Sequence, residues 1–172
     1  MMDSESPYFN FIEKRLIRLA LNESEQYLDR FYRFSPREWF NFCYSIETGF
    51  TIKDNVPHSS IFAEVKKLDP IIKKCSDEFQ RDQYIVCLFD KNIINVLKRR
   101  SSLELYPLMV YILTHELVHI ARFSQKLYPF ECFDFKSHKK EEEKVHNITF
   151  QMLKSFKMKT LEDIASLYKY GL

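Results

Sequence analysis

The sequence predicts a mainly α fold with at most a small β element around residues 84–89, and three observations carry that expectation. Only two glycines, Gly49 and Gly171, occur in 172 residues, too few for a sheet built from tight hairpins. Capping residues stand repeatedly just ahead of apolar residues spaced three and four apart, which marks helices. A single run, Tyr84-Ile85-Val86-Cys87-Leu88-Phe89, is β-branched and aromatic enough for a strand, with Asp82 before it and Asp90 after it. At 45% hydrophobic and 16% aromatic residues, the chain can build a real core as one domain spanning 1–172. Its N-terminal part, about 8–80, reads as helical, and the part from about 83 to 170 holds the residues with chemistry.

Taken in order, Phe9, Ile12, Leu16 and Leu19 repeat at helical spacing, and Asn22 with Glu25 offers a recap through Tyr27, Leu28 and Phe31. Ser35-Pro36-Arg37-Glu38 is a capping box with proline at the first helical position, opening a helix that Gly49 can end. Thr51 to Ser60 reads as a loop, and Asp69-Pro70 starts a segment to about Phe79. Asp90 caps a helix to about Arg100, and Ser101-x-x-Glu104 is a further capping box. A long helix starts near Pro107 and fades by about Gln125. A loop from Lys126 to Lys140 leads to a helix from about Glu141 to Ser155, and Thr160-x-x-Asp163 opens a last helix ended by Gly171.

The charge balance excludes several classes of partner. Twenty-six basic and 24 acidic residues leave a formal net charge of +2, and the densest cluster, Lys98-Arg99-Arg100, reads as a solvated helix end. Nucleic-acid binding is therefore not expected. The longest nearly continuous apolar stretch, Leu103 to Leu113, is broken by Glu104 and Pro107 and falls short of the ~20 residues a membrane span needs, so no membrane association is expected. Met1 to Pro7 is acidic and polar, without the features of a signal peptide, and Cys43, Cys75, Cys87 and Cys132 lack C-x-x-C spacing. Reduced thiols in a cytoplasmic protein are the expectation.

The chemistry concentrates in His115-Glu116-Leu117-Val118-His119, inside the apolar run from Tyr106 to Phe123. Residues four apart share a helix face, so two imidazoles can grip one Zn2+ ion while Glu116 reaches its bound water as general base. His115 and His119 share their face with Leu108, Tyr111, Ile112 and Arg122, and Leu113, Leu117 and Ile120 cover the other. A helix apolar nearly all round is enclosed, so its polar residues need partners, and a metal supplies one. The third ligand is sought in Glu141-Glu142-Glu143-Lys144-Val145-His146, where Val145, Ile148, Met152 and Phe156 mark a buried stripe and Glu142 lies beside it. Glu142, 23 residues beyond His119 (142 − 119), is the first choice. Glu143 and His146 are alternatives, with His146 favoured as an outer residue that orients a ligand. Glu141 sits at the frayed first position. Arg122 can hold a carboxylate of the partner helix or a substrate carbonyl, and Tyr111, Tyr128 and His138 are candidate donors to a developing oxyanion.

These residues resemble the zincin metallopeptidases, and the downstream glutamate is similar to the gluzincin branch, whose third ligand comes from a following helix. The metzincin extension is absent, since Arg122 and Gln125 stand where its glycine and third histidine would be. Tyr106-Pro107-Leu108, Thr114 to His119, Arg122-Phe123, Glu142, Val145-His146 and Thr149 also resemble a small group of bacterial HExxH proteins. The resemblance implies a zincin-like helical fold and a small intracellular zinc metallopeptidase acting on a peptide or protein. Zincins place above the active-site helix a sheet whose edge strand binds extended peptide, a part that only Tyr84 to Phe89 can play here.

Two other readings compete. Glu116-x-x-His119 and Glu143-x-x-His146 are both ExxH, the pair used by ferritin-like carboxylate bundles holding two Fe ions, with Glu13 and Glu47 as the remaining carboxylates. The third reading is a non-catalytic, metal-stabilised partner-binding protein.

Overall fold

Four of the six helices among the described residues take their positions from one another through α4 (Leu105–Ser124), which is buried at every residue from Leu108 to Arg122. The computed structural model describes residues 6–49, 61–68, 82–131 and 134–170. Around α4 pack α1 (Phe11–Tyr32), α5 (Phe135–Ser155), α6 (Leu161–Tyr170) and the sheet strand β2 (Ala63–Leu68). The remaining described elements are α2 (Pro36–Asn41), β1 (Cys43–Glu47), β3 (Gln83–Leu88) and α3 (Asp90–Arg99). The result is a mainly α fold with a minor three-stranded sheet.

A single long α1 replaces the recapped pair expected at Asn22. Asn10 and Glu13 form its capping box, and Arg33 ends it in the left-handed conformation at φ 53. Its buried stripe is Ile17, Ala20, Ser24 and Leu28, so the expected stripe is rotated: Ile12 and Leu19 face solvent. The small Ala20 and Ser24 let α1 lie close to α4, and the Ser24 hydroxyl reaches both the Ala20 carbonyl at 2.9 Å and the Val110 carbonyl at 3.2 Å. Each fully buried aliphatic side chain along this seam contributes about 1.5–3 kcal/mol.

The Ser35-Glu38 capping box forms as the sequence indicates, with Pro36 at the helix start, but α2 stops at Asn41 rather than Gly49. Beyond it, Tyr44 and Ile46 alternate with Ser45 and Glu47 and pair in parallel with Tyr84 and Val86 of β3. β2 pairs antiparallel on the other side of β3, placing Val65 opposite Val86. The sheet order is thus β1-β3-β2, and the single expected strand is its centre. The N-terminal part is therefore not purely helical. β2 escaped notice because Glu64, Lys66 and Lys67 dilute its alternation to two clear apolar positions, Ala63 and Val65. The expected loop from Thr51 to Ser60 and the segment from Asp69 to Phe79 lie outside the described residues, as do Cys75 and Cys132; Cys43 and Cys87 are free thiols.

Asp90 is not the N-cap of α3; that place belongs to Phe89, which makes no side-chain cap. The Asp90 carboxylate, buried, instead accepts the N–H of Phe9 at 3.1 Å and of Gly49 at 2.9 Å, tying the entry to α1 and the exit of β1 to the start of α3. Lys98, Arg99 and Arg100 form the exposed end of α3, as expected. α4 begins at Leu105, two residues before Pro107, with Glu104 as N-cap, and the Ser101 box does not form. α5 begins six residues earlier than expected, because Asp134 caps it by accepting the Ser137 N–H at 2.9 Å. α6 starts at Leu161 as the Thr160 signal suggests, although the Thr160 hydroxyl turns back to the Lys159 carbonyl.

Candidate metal centre

The third and fourth turns of α4 present His115 and His119 side by side, their ring centroids 4.9 Å apart, toward Glu142 on the second turn of α5. The Nε2 atom of His115 lies 3.5 Å from Glu142 Oε2, and that of His119 3.2 Å from Oε1. One ligand atom from each of the three residues falls within 4.8 Å of the other two. Ligands about 2.1 Å from a tetrahedral ion stand about 3.4 Å apart, so the imidazole–carboxylate separations suit a cation of that size. These three residues could hold a metal ion.

Burial and charge within the group act in opposite directions. Burial lowers the His115 imidazole to about 4 against the pull of Glu142, leaving it neutral and ready to ligate. At His119 burial acts the same way, but Glu142, Glu116 and Glu141 outweigh it and the imidazole is raised. Burial acts to raise the Glu142 carboxyl, yet hydrogen bonds from His115 and His119, together with their charge, hold it well below the usual carboxylate range. Both Nδ1 atoms are buried without a hydrogen-bond partner among the described residues, so the group's polar contacts run through its Nε2 side.

Glu116 is only 6% exposed, and burial raises its carboxyl to about 7; His119 opposes the rise, while Glu142 and Glu64 add to it. Glu116 thus lies within the electrostatic reach of both α5 and β2, the two elements that flank α4 here.

The other candidates separate. Arg122 is buried and forms a bidentate ion pair with Glu141, through Nε to Oε1 and through Nη2 to Oε2 at 2.9 Å, so it is committed to α5 and not to a substrate. Glu141 is therefore a buried partner and not a frayed end, because α5 starts earlier than expected. Tyr111 is fully buried, and its hydroxyl lies 2.7 Å from His146 Nδ1, which removes it as an oxyanion donor and gives His146 a partner outside the ligand group. Tyr128 packs its ring beside Phe123, which stacks on His119. His138 is exposed, one turn before Glu142. Glu143 is exposed, Glu13 closes the α1 capping box, and Glu47 stands exposed on β1. The four-carboxylate set of a di-iron bundle is therefore not assembled among the described residues.

Two features were not found from the sequence. Tyr168 of α6 lays its ring 5.2 Å from that of His115 and 4.9 Å from that of Tyr111. Its hydroxyl is buried with no hydrogen-bond partner among the described residues, and its pKa is pushed well above the usual value by burial and then by Glu116, Tyr111 and Glu142. It is a neutral O–H donor close enough to the centre to feel the charge of Glu116 and Glu142. The only signal for it was a tyrosine on the same face as the buried Leu161, Ile164 and Ala165. The second feature is β2, an edge of the described sheet packed on α4, in the place where β3 had been expected. No protein-family model, no curated protein and no solved structure matches this chain.

Proposed function

We propose that the protein is a zinc-dependent hydrolase of the gluzincin kind that cleaves peptides. The observation that carries the reading is the convergence of His115, His119 and Glu142 beside a buried Glu116 whose carboxyl sits near neutrality. Two imidazoles and one carboxylate are a donor set that suits zinc and leaves a fourth position open. A zinc ion held there supplies Lewis acidity, drawing electron density from a scissile carbonyl and making water more acidic.

The chain's own residues supply the rest. Glu116 would take the proton from an attacking water and return it to the leaving amine, a shuttle open to a buried carboxyl one residue from His115. The Tyr168 hydroxyl, free to donate, stabilises the negative charge that develops on the carbonyl oxygen. Among the described residues the outer edge of β2 pairs with no other strand, and its main-chain donors and acceptors would suit an extended chain, which favours peptide over other carbonyl substrates.

Elemental analysis of protein purified without added metal, paired with Glu116→Gln, tests this. About one zinc per chain is expected in both forms, with hydrolysis of a mixed peptide library present in the first and lowered by about 10²–10⁴-fold in the second. About two irons per chain supports the carboxylate bundle instead. Zinc with no hydrolysis in either form supports a structural metal in a partner-binding protein.

A further inference from the structure

The metal centre is enclosed on the α4 side and open on the α5 side. The side chains of His115 and His119 are 5% and 8% exposed, whereas that of Glu142 is 43% exposed. A substrate therefore approaches past Glu142, along the face of α5 that carries it. Seven residues earlier on that helix stands Phe135, 81% exposed, the most exposed large hydrophobic side chain among the described residues. Seven residues turn a helix through about 700°, within about 20° of a whole number of turns, so Phe135 and Glu142 share one line along α5. His146 continues the same line on the far side of Glu142. Seven residues also advance the helix by about 10.5 Å, which an extended peptide covers in about three residues at about 3.4 Å each.

We infer that Phe135 is a specificity residue: it receives a bulky apolar side chain of an extended peptide, about three residues from the bond cleaved at the centre. The inference rests on the peptidase reading and deepens it, naming the substrate as a peptide with an apolar side chain at that distance. An aromatic ring left in water two turns before Glu142 on the same line of α5 gains from such a partner, since contact removes apolar surface from both. Asp134 accepts the Ser137 N–H and fixes the backbone at the start of α5, which carries Phe135.

The test uses the full chain loaded with zinc and a series of short peptide hydroxamates, which chelate zinc and need no turnover. A single phenylalanine is walked along an alanine peptide away from the hydroxamate, with the chelating group at either end so that both chain directions are covered. Calorimetric titration is expected to show about tenfold tighter binding when the phenylalanine is about three residues from the chelator. Phe135→Ala removes that gain and leaves the affinity for zinc and for the all-alanine probe unchanged, while Phe135→Trp keeps it. Equal affinity at every position, or a preference that survives Phe135→Ala, overturns the role of Phe135 and leaves the metal centre standing. Failure of the zinc-loaded protein to bind any hydroxamate overturns the peptidase reading and this inference with it.

Discussion

Arg122 and Glu141 face each other across the seam between α4 and α5 in a bidentate ion pair, buried on both sides, with Glu141 one residue before the candidate ligand Glu142. Arg122 stands three residues after His119, so the pair locks the register of the two helices whose side chains could hold a metal ion. Removing one partner leaves a buried charge alone, at a cost of about 3–5 kcal/mol. Glu141→Gln is expected to lower unfolding stability by that order and to weaken zinc binding, both measured on the same preparation. Arg122→Met with Glu141→Leu removes both charges and is expected to recover most of the stability, which a double-mutant cycle in urea checks.

Zinc affinity should depend on pH through one proton, not two. His115 is already neutral above about 4, because burial lowers it, while His119 is raised above the ordinary 6.5 and still holds a proton there. Binding must expel the His119 proton, so affinity falls as pH falls below the His119 pKa. Between about 4 and about 6.5 the apparent dissociation constant is expected to rise about tenfold per pH unit lost. Only below about 4, where His115 also takes a proton, should the slope approach two. Zinc titrations against a competing chelator across this range measure the slope; a value of two at pH 6 would contradict the opposed shifts.

The parts of the molecule legible in the sequence are those whose physics is local. The Ser35-Glu38 box declares itself by residue type and spacing, and the pairing of His115 with His119 follows from helical phase alone. Glu142 could be singled out because Val145 and Met152 fix which side of α5 is buried. The partner of Arg122 was harder: it depends on where α5 begins, and the cap at Asp134 precedes a polar run with no apolar stripe to announce a helix. β1 and β2 exist because Tyr44, Ile46 and Val65 find partners on β3, a relation between distant segments. Tyr168 is a still longer-range case, since nothing near it in the chain reveals that α6 folds back over His115.

Tyr168→Phe isolates the hydroxyl from the ring. The ring packs against His115, Tyr111 and Phe62, and phenylalanine preserves that packing. Because the hydroxyl has no partner among the described residues, its loss leaves no buried group unsatisfied there, and stability should change by less than about 1 kcal/mol. Metal content should not change either. If the hydroxyl donates to the developing oxyanion, kcat falls by about 10²–10³-fold with KM little altered. A rise in KM at constant kcat would assign Tyr168 to ground-state binding instead.

Asp90 supplies a stability prediction independent of the metal. Its carboxylate receives two main-chain N–H groups from distant parts of the chain, Phe9 and Gly49, and is itself 1% exposed. Asp90→Ala leaves both N–H groups without their acceptor; the buried Phe9 donor left unpaired costs about 1–3 kcal/mol, and the Gly49 donor, on an exposed residue that water can reach, costs less. Asp90→Asn keeps the shape and one acceptor oxygen, so it retains one of the two bonds and should lose less than Asp90→Ala. Gly49 sits at φ +86, and the bond from its N–H helps hold that turn against β1. Urea denaturation of the two variants should therefore rank them wild type, Asn, Ala, with amide exchange at Phe9 and Gly49 accelerating first. An Asn variant as unstable as Ala would show that the negative charge, and not the pair of hydrogen bonds, fastens the first helix to the sheet.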